Sequence, residues 1–373
     1  MSDEYAHSKH CEQSYARPKG GQRFAALDLL RFLAAMGVLL YHYVSSYLSP
    51  SALEAAGLSA VASVTRYGYL GVNAFFLISG FVILASALPR GPVDFVIGRV
   101  SRLYPAFWVS VIITSAMVLL LPELAPSEIA GQLSTRVILA NLTMMPEFLG
   151  QPFVDGVYWT LQIEIRFYFL VFLMLVLKLQ QRVQQLLWIW LAILLLGEFF
   201  RLPWLLAFVF IAGYGSYFVF GCFAFLGVTR GWNRARALGL VVSAAMCIGH
   251  AFSSRSEFIT PDQASGLVVS IVMLALMLFF CFGIDLCRGE RLAQLAEQVG
   301  SLTYPLYLTH AVLGYMAMRL LIPSIGAAAA LLTTLLGAIA LAFLLTRGVD
   351  VPVRKPFAGW LKSCWRGGLE KLA

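Results

Sequence analysis

The chain has 373 residues, of which 60% are hydrophobic and only 12% are charged, and its mean hydropathy is +0.80. A soluble domain carries charge on about a quarter of its residues, so this composition excludes an ordinary soluble protein. The formal net charge of +8 lies largely in short segments between apolar runs, which is the bias of cytoplasmic membrane loops and does not indicate a nucleic-acid partner.

Apolar runs near the length of a membrane helix recur along the chain, since about 20 helical residues cross a hydrocarbon core of ~30 Å. The runs are continuous and do not alternate, which favours helices over a barrel. We therefore predict an all-α polytopic membrane bundle of about ten spans, with both termini cytoplasmic. The predicted spans are 27–48, 68–88, 105–121, 158–179, 186–200, 205–227, 237–252, 265–284, 303–322 and 325–346.

The flanking and connecting segments divide by charge. The transmembrane domain, 27–346, follows a cytoplasmic tail at 1–26 and precedes a basic cytoplasmic tail at 347–373. The first span lacks a small-residue cleavage site, so we expect it to stay in the mature protein. The glycine- and aromatic-rich sixth span is expected to begin as an interfacial piece before Tyr217, and 285–302 is expected to be an amphipathic connector.

The cysteines predict neither disulfides nor a metal site, because all of them fall in predicted spans or cytoplasmic segments and none has paired metal spacing. They are Cys11, Cys222, Cys247, Cys281, Cys287 and Cys364. No internal repeat is evident, which weakly disfavours repeat-built transporter folds.

Three ionisable groups interrupt the first span: Asp28, Arg31 and His42. Arg31 and His42 are eleven positions apart, which on a helix brings them within about 20° of the same face and ~16 Å apart along the axis. Asp28 lies three residues before Arg31 and can pair with it. A polar stripe on an apolar helix should face the bundle interior or a wet cavity, so the stripe is the first candidate site.

Four further motifs follow the stripe in order: GVNAFFLISGF, GRVSRLYPAFW, YWTLQIEIRFYFL and YPLYLTH. Together with the stripe they make residues 23–357 resemble the acyltransferase-3 family of integral membrane O-acyltransferases. The resemblance implies transfer of an acyl group, usually acetyl, from cytoplasmic acyl-CoA to a hydroxyl of a saccharide or lipid-linked glycan. It also implies that Arg31 and His42 are required for activity.

His42 is the predicted catalytic base, with a transient acyl carrier as the alternative. A neutral imidazole can accept the proton of an attacking hydroxyl near neutral pH. Glu164 lies at about the same distance from the end of its predicted span as His42 does, so the two could share a depth in the membrane. Glu164 is therefore predicted to orient His42 and stabilise its imidazolium. The structural alternatives are a histidine that only bonds across helices and an ion pair of Glu164 with Arg166.

Basic groups near the cytoplasmic side are the predicted donor site. Arg31 can hold a thioester carbonyl or a phosphate, or it can simply snorkel to the interface. Arg99 and Arg102 are predicted to bind the phosphates of CoA, although the positive-inside rule alone also places arginines there. His310 is a second catalytic or donor-binding candidate, with a helix-packing hydrogen bond as the equal alternative.

The first hypothesis is thus a multi-pass O-acyltransferase of a bacterial inner membrane, with acetyl-CoA or another acyl-CoA as donor and no metal. Its partners are membrane lipids and an acceptor that is an exopolysaccharide, a lipopolysaccharide, a lipid-linked sugar or a small metabolite, and self-association is an open alternative. Some family members carry a hydrolase-like domain after the membrane domain. The sequence ends at Ala373 without one, so we expect transfer to finish in the membrane domain or with a partner.

The second hypothesis is a transporter or flippase with a polar path through Asp28, Arg31 and His42.

Overall fold

The computed structural model of the protein describes residues 24–260, 262, 264–283 and 289–370. Throughout these residues the regular structure is helical and contains no strand, which confirms the predicted all-α class. Most of the predicted tail 1–26, part of the connector 285–302, Cys11, Cys287 and the end of the second tail lie outside the described residues. The described cysteines, Cys222, Cys247, Cys281 and Cys364, are all free.

Twelve longer helices make up the described bundle. They are α1 (Ala25–Leu40), α2 (Leu70–Ala87), α3 (Pro92–Leu120), α4 (Trp159–Val176), α5 (Val183–Phe199), α6 (Gly215–Arg230), α7 (Arg234–Ser253), α8 (Ser265–Leu278), α9 (Glu290–Thr309), α10 (Ala311–Ile325), α11 (Ala327–Leu345) and α12 (Val351–Glu370). Short helices lie at Pro50–Ala55, Ser59–Thr65, Ser127–Ala130, Thr135–Asn141 and Trp204–Val209. π-Helical turns extend α1 (Tyr41–Ser46) and α8 (Phe279–Gly283) and join α11 to α12 (Thr346–Asp350).

Eight of the described helical segments are long and apolar enough to cross a membrane, or nine if the bent pair α9–α10 is one span. The predicted sixth span divides into the short helix Trp204–Val209 and the 16-residue α6, so the expected break before Tyr217 is present. The protein is therefore a multi-pass helical membrane protein. The number ten and the cytoplasmic position of the termini stay predictions.

The third span begins earlier than predicted. We expected a connection up to Tyr104 and a span from Pro105, but α3 runs without a break from Pro92 through Pro105 to Leu120. Proline at the first helical position is favourable, and an internal proline is tolerated in membrane helices when neighbours satisfy the freed backbone groups. Phe95 and Leu103 are buried in the bundle, so the packing of this segment outweighs the cost of the proline.

The predicted ninth span is wrong as a single helix, because α9 and α10 meet at His310 with a bend of 72°. A break inside the bundle leaves backbone groups without helical partners, and side chains must satisfy them. Tyrosine hydroxyls donate to the carbonyl oxygens around the bend: Tyr158 to Leu308 (3.1 Å), Tyr43 to His310 (3.1 Å) and Tyr47 to Ala311 (2.8 Å). His310 is therefore buried at the junction that follows the 20-residue α9, and not within the first two turns of a single span.

The predicted second tail is a continuation of the last span, since the helix from Ala327 extends as far as Arg366 in one 40-residue segment. Its end packs along α3. Lys362 Nζ lies 2.7 Å from Asp94 Oδ1, and the rings of Phe357 and Trp108 are 5.9 Å apart.

Glycines permit α2 and α6 to meet backbone to backbone. A Cβ on Gly80 would lie 2.2 Å from the carbonyl oxygen of Phe218, and one on Gly221 would lie 2.2 Å from that of Leu77. Close approach through small residues is a main source of helix association in membranes, where lipid removes the hydrophobic driving force between helices. This contact fixes α2, which carries one wall of the candidate site.

Gly221→Ala is expected to lower the melting temperature of the purified protein, because the added methyl group meets backbone that no rotamer change can move. The matched control is Gly249→Ala in α7, where a Cβ meets no atom within 4 Å. Removing a glycine from an open helix position stabilises the helix by about 0.5–1 kcal/mol, so the control should melt at the same or a higher temperature. Equal melting curves for the two variants would contradict the close α2–α6 contact.

Candidate functional site

His42 lies in the π-helical turn that ends the first span. π-Helical turns are rare overall, but those that occur are often at functional sites, because they displace one residue from the regular hydrogen-bond ladder of the helix. The Nδ1 atom of His42 is 2.9 Å from the carbonyl oxygen of Val38 and 3.2 Å from Nε2 of His310. The structure thus brings together the two histidines that the sequence placed in separate motifs.

The hydrogen bonds of the pair assign its protons. His310 Nδ1 lies 2.9 Å from the carbonyl oxygen of Tyr307, which can only accept, so this nitrogen carries hydrogen. In the neutral ring Nε2 of His310 is then an acceptor, and Nδ1 of His42 donates toward it and toward Val38. Nε2 of His42 is left unprotonated, and it has no hydrogen-bond partner among the described residues. This is the arrangement of a histidine ready to accept a proton.

His42 borders a large cavity, called here the outer cavity, with a volume of about 550 Å³. It lies beside the segment 126–157 that precedes α4. Its lining is mostly apolar, with several aromatic side chains and a few polar groups, and it includes Tyr41, Tyr47, Tyr69, Trp159, Phe258, Glu128, Gln132 and Asp155. A large, mostly apolar cavity with a few polar groups is a typical ligand site.

Asp155 is a functional candidate that the sequence did not single out. It is fully buried in the wall of the outer cavity. Its Oδ2 accepts from the backbone N–H of Val312 (3.0 Å) at the start of α10, and its Oδ1 accepts from that of Val157 (3.2 Å) before α4. Burial raises the pKa of the Asp155 carboxyl to about 6, although the two backbone donors oppose that shift. Asp155 thereby fixes the bend that carries His310.

Asp155→Ala is expected to loosen this bend, because it leaves the Val312 N–H buried without an acceptor. An orphaned buried donor costs about 1–3 kcal/mol, so the melting temperature should fall and activity with it. Asp155→Asn keeps one side-chain oxygen as acceptor and should lose less of both. Thermal unfolding of the two variants checks this prediction. Equal melting of Asp155→Ala and the unchanged protein would show that the carboxylate does not hold the bend.

Arg31, Arg102 and Glu164 line a second, smaller cavity, called here the inner cavity, with a volume of about 90 Å³. Arg31 Nη1 is 3.3 Å from Asp28 Oδ1, as the spacing predicts. Glu164 Oε1 accepts a hydrogen bond of 2.7 Å from Ser79 Oγ. Two guanidinium groups and one carboxylate therefore share a half-buried space between α1, α3 and α4.

The expected pairing of Glu164 with His42 is not formed, because the two residues border different cavities. Trp159, at the start of α4, lines the outer cavity, whereas Thr160 and Glu164 line the inner one. The sequence prediction relied only on the depth of each residue along its span. Depth does not reveal that Trp159 and Glu164 on α4 border different cavities. The alternative ion pair with Arg166 is also absent, since Arg166 Nη2 lies 3.8 Å from Glu147 Oε2.

Arg99 and Arg102 do not line the same space. Arg99 is buried, with its guanidinium 5.9 Å from the ring centre of Phe95 and 6.0 Å from that of Tyr168. It borders a further cavity of about 200 Å³ that is mostly apolar. Residues three apart on a helix differ by about 60° in direction, which accounts for the separation. The prediction that both arginines bind phosphate stays a prediction.

Comparison with known proteins supplies a family. A family model described as an acyltransferase domain matches residues 24–347, which include every candidate site residue above. No curated protein and no solved structure matches the chain. Among the described residues, no three His, Cys, Asp or Glu side chains are grouped so as to hold a metal ion.

Proposed function

Because the chain belongs to the acyltransferase-3 family and is a membrane acyltransferase, we propose that it transfers an acyl group, most simply acetyl, from acyl-CoA to a hydroxyl group. The acceptor is a saccharide or a lipid-linked glycan, and the membrane is the inner membrane of a bacterium. The observation that carries the proposal is the free Nε2 of His42 beside the outer cavity, with its ring held by His310.

The reaction follows from the protonation of the histidine pair. His42 Nε2 accepts the proton of the acceptor hydroxyl as the oxygen attacks the thioester carbonyl. The C–O bond forms, the C–S bond breaks, and the proton passes from His42 to the leaving thiolate, which gives an ester and free CoA. His310 Nε2 accepts from His42 Nδ1–H throughout, so it holds the tautomer and disperses the charge of the imidazolium.

The inner cavity suits the donor. Arginine stays charged at physiological pH and matches phosphate and carbonyl oxygens in geometry, and Arg31 and Arg102 offer two such groups in one space. Arg99 is proposed as an additional phosphate contact at the same end of α3. Glu164 balances the charge of the two guanidinium groups when the cavity is empty of donor.

The outer cavity suits the acceptor. Aromatic side chains there can pack against the apolar faces of a sugar ring, while Gln132 and Glu128 at its rim are placed to bind hydroxyls. A glycan that approaches from the side of the segment 126–157 would bring a hydroxyl to His42.

Binding of CoA distinguishes this function from transport along the polar stripe. Free CoA is expected to raise the melting temperature of the purified protein, and Arg102→Ala should remove most of that rise. The control is Arg90→Ala, which removes an exposed charge from the segment before α3 without touching the inner cavity. A protein that CoA does not stabilise would favour the transporter hypothesis, whereas CoA stabilisation that survives Arg102→Ala would contradict the assignment of the inner cavity to the donor.

A further inference from the structure

The inner and outer cavities share a wall. Two residues line both of them, Val72 on α2 and Tyr307 on α9. Tyr307 is buried and lies three residues before His310, at the end of α9. The donor groups Arg31 and Arg102 are on one side of this wall, and His42 is on the other.

Hydrogen bonds hold the Tyr307 side chain in the wall. Its hydroxyl lies 2.9 Å from Thr160 Oγ1 and, more weakly, 3.5 Å from the carbonyl oxygen of Val157. Thr160 Oγ1 donates to the same carbonyl oxygen at 2.9 Å. The Tyr307 ring also packs edge-on against Phe75, with ring centres 5.4 Å apart. The side chain thus reaches from α9 to the start of α4 and connects these two elements across the shared wall.

We propose that Tyr307 is a gate between the two cavities, held closed by its hydrogen bond to Thr160. The bond joins two hydroxyl groups, so its net contribution is small and it can break while the protein stays folded. The functional meaning of the gate rests on the proposed function. An acyl group carried by CoA in the inner cavity reaches His42 only when Tyr307 swings aside, and the closed gate keeps water of the outer cavity from the thioester.

Accessibility of a single introduced thiol tests the gate without requiring enzyme activity. Thr303→Cys places the thiol in the lining of the inner cavity, one helical turn before Tyr307 on α9. The Thr303 hydroxyl has no hydrogen-bond partner among the described residues, so this exchange breaks no bond. A small, membrane-impermeant methanethiosulfonate is added to proteoliposomes only on the side of the segment 126–157, and labelling of the thiol is followed against the parent protein without it.

Thr160→Val and Tyr307→Ala are then combined with Thr303→Cys. Thr160→Val is expected to speed labelling by on the order of 3- to 10-fold, the factor by which one net hydrogen bond shifts a closed–open equilibrium. Tyr307→Ala removes the side chain and should speed labelling further. The matched control is Thr334→Val, which removes another buried hydroxyl that has no partner among the described residues and lines neither cavity. It should label at the rate of Thr303→Cys alone.

Unchanged labelling in Tyr307→Ala would overturn the gate, and faster labelling in Tyr307→Ala alone would overturn the role of Thr160. A second readout is the release of free CoA from acetyl-CoA without acceptor, which an open gate should increase in both gate variants. The two readouts separate the proposals. Faster labelling without CoA release supports the gate and contradicts the acyl-CoA function, whereas CoA release by a protein with unchanged labelling contradicts only the gate.

Discussion

His42→Ala is expected to reduce acyl transfer by about 10²- to 10⁴-fold, the usual contribution of a positioned general base. The reason is local, since Nε2 of His42 is the unprotonated ring nitrogen beside the outer cavity and no other described imidazole borders that cavity. The measurement is the initial rate of transfer at saturating acyl-CoA, with melting curves of both proteins as the check on folding.

His310→Gln supplies the graded comparison. A glutamine can still accept or donate near His42 Nδ1, but it cannot share charge with the imidazolium, so we expect a loss of on the order of 10-fold and a changed pH profile. Melting should stay close to that of the unchanged protein in His42→Ala, because the side chain makes hydrogen bonds only with Val38 and His310 among the described residues. A folded His42→Ala protein with normal turnover would remove His42 from the reaction.

Arg31→Ala is expected to reduce kcat/KM for acyl-CoA by roughly 10²-fold or more, mostly through KM. Truncating one member of a desolvated charged pair costs about 2–5 kcal/mol, and each 1.4 kcal/mol is about tenfold. The Arg31 side chain is only 15% exposed and pairs with Asp28. It shares the inner cavity with Arg102 and Glu164, so its charge is largely shielded from water. Arg31→Lys should recover part of the loss, because it restores charge but not the planar fork.

Arg90→Ala is again the matched control for Arg31, because it removes a positive charge from the same end of the bundle while leaving the inner cavity intact. If Arg31 only anchors the first span at the interface, the two variants should insert and transfer alike. If Arg31 binds the donor, only its own replacement raises KM. Equal kinetics in Arg31→Ala and Arg90→Ala would therefore support the snorkelling alternative.

Helical periodicity was sufficient to place the stripe of the first span. The spacing of Arg31 and His42 predicts one face, and both residues line internal cavities in the structure, with Asp28 paired to Arg31. The all-helical class followed from composition and run length for the same reason: the bilayer leaves few alternatives.

Contacts between distant segments were not predictable in this way. The bend at His310 depends on hydroxyls of Tyr43, Tyr47 and Tyr158 and on the carboxylate of Asp155, none of which is near α9 in sequence. One local signal was present, since Asp155 precedes Gly156 and a helical run as a capping residue does. Its second bond, to Val312, could come only from the fold.

Glu164 shows the same limit from another side. The depth of Glu164 along α4 could be counted from the sequence. The neighbours of Glu164 depend instead on how α4 packs between the two cavities. This packing places Glu164 beside Ser79, Arg31 and Arg102 and away from His42. Periodicity predicts which residues share a face of one helix. It does not predict which faces of neighbouring helices pack together.

Transfer of label in membrane vesicles tests whether an acyl group passes from CoA to a hydroxyl beside His42. Vesicles that contain the protein and its native membrane glycans receive acetyl-CoA with a labelled acetyl group at the cytoplasmic face. We expect label in the glycan or lipid-linked fraction as an ester that mild alkali releases, and we expect no label there with His42→Ala. Label that alkali does not release, or equal incorporation by the His42→Ala protein, would contradict this expectation.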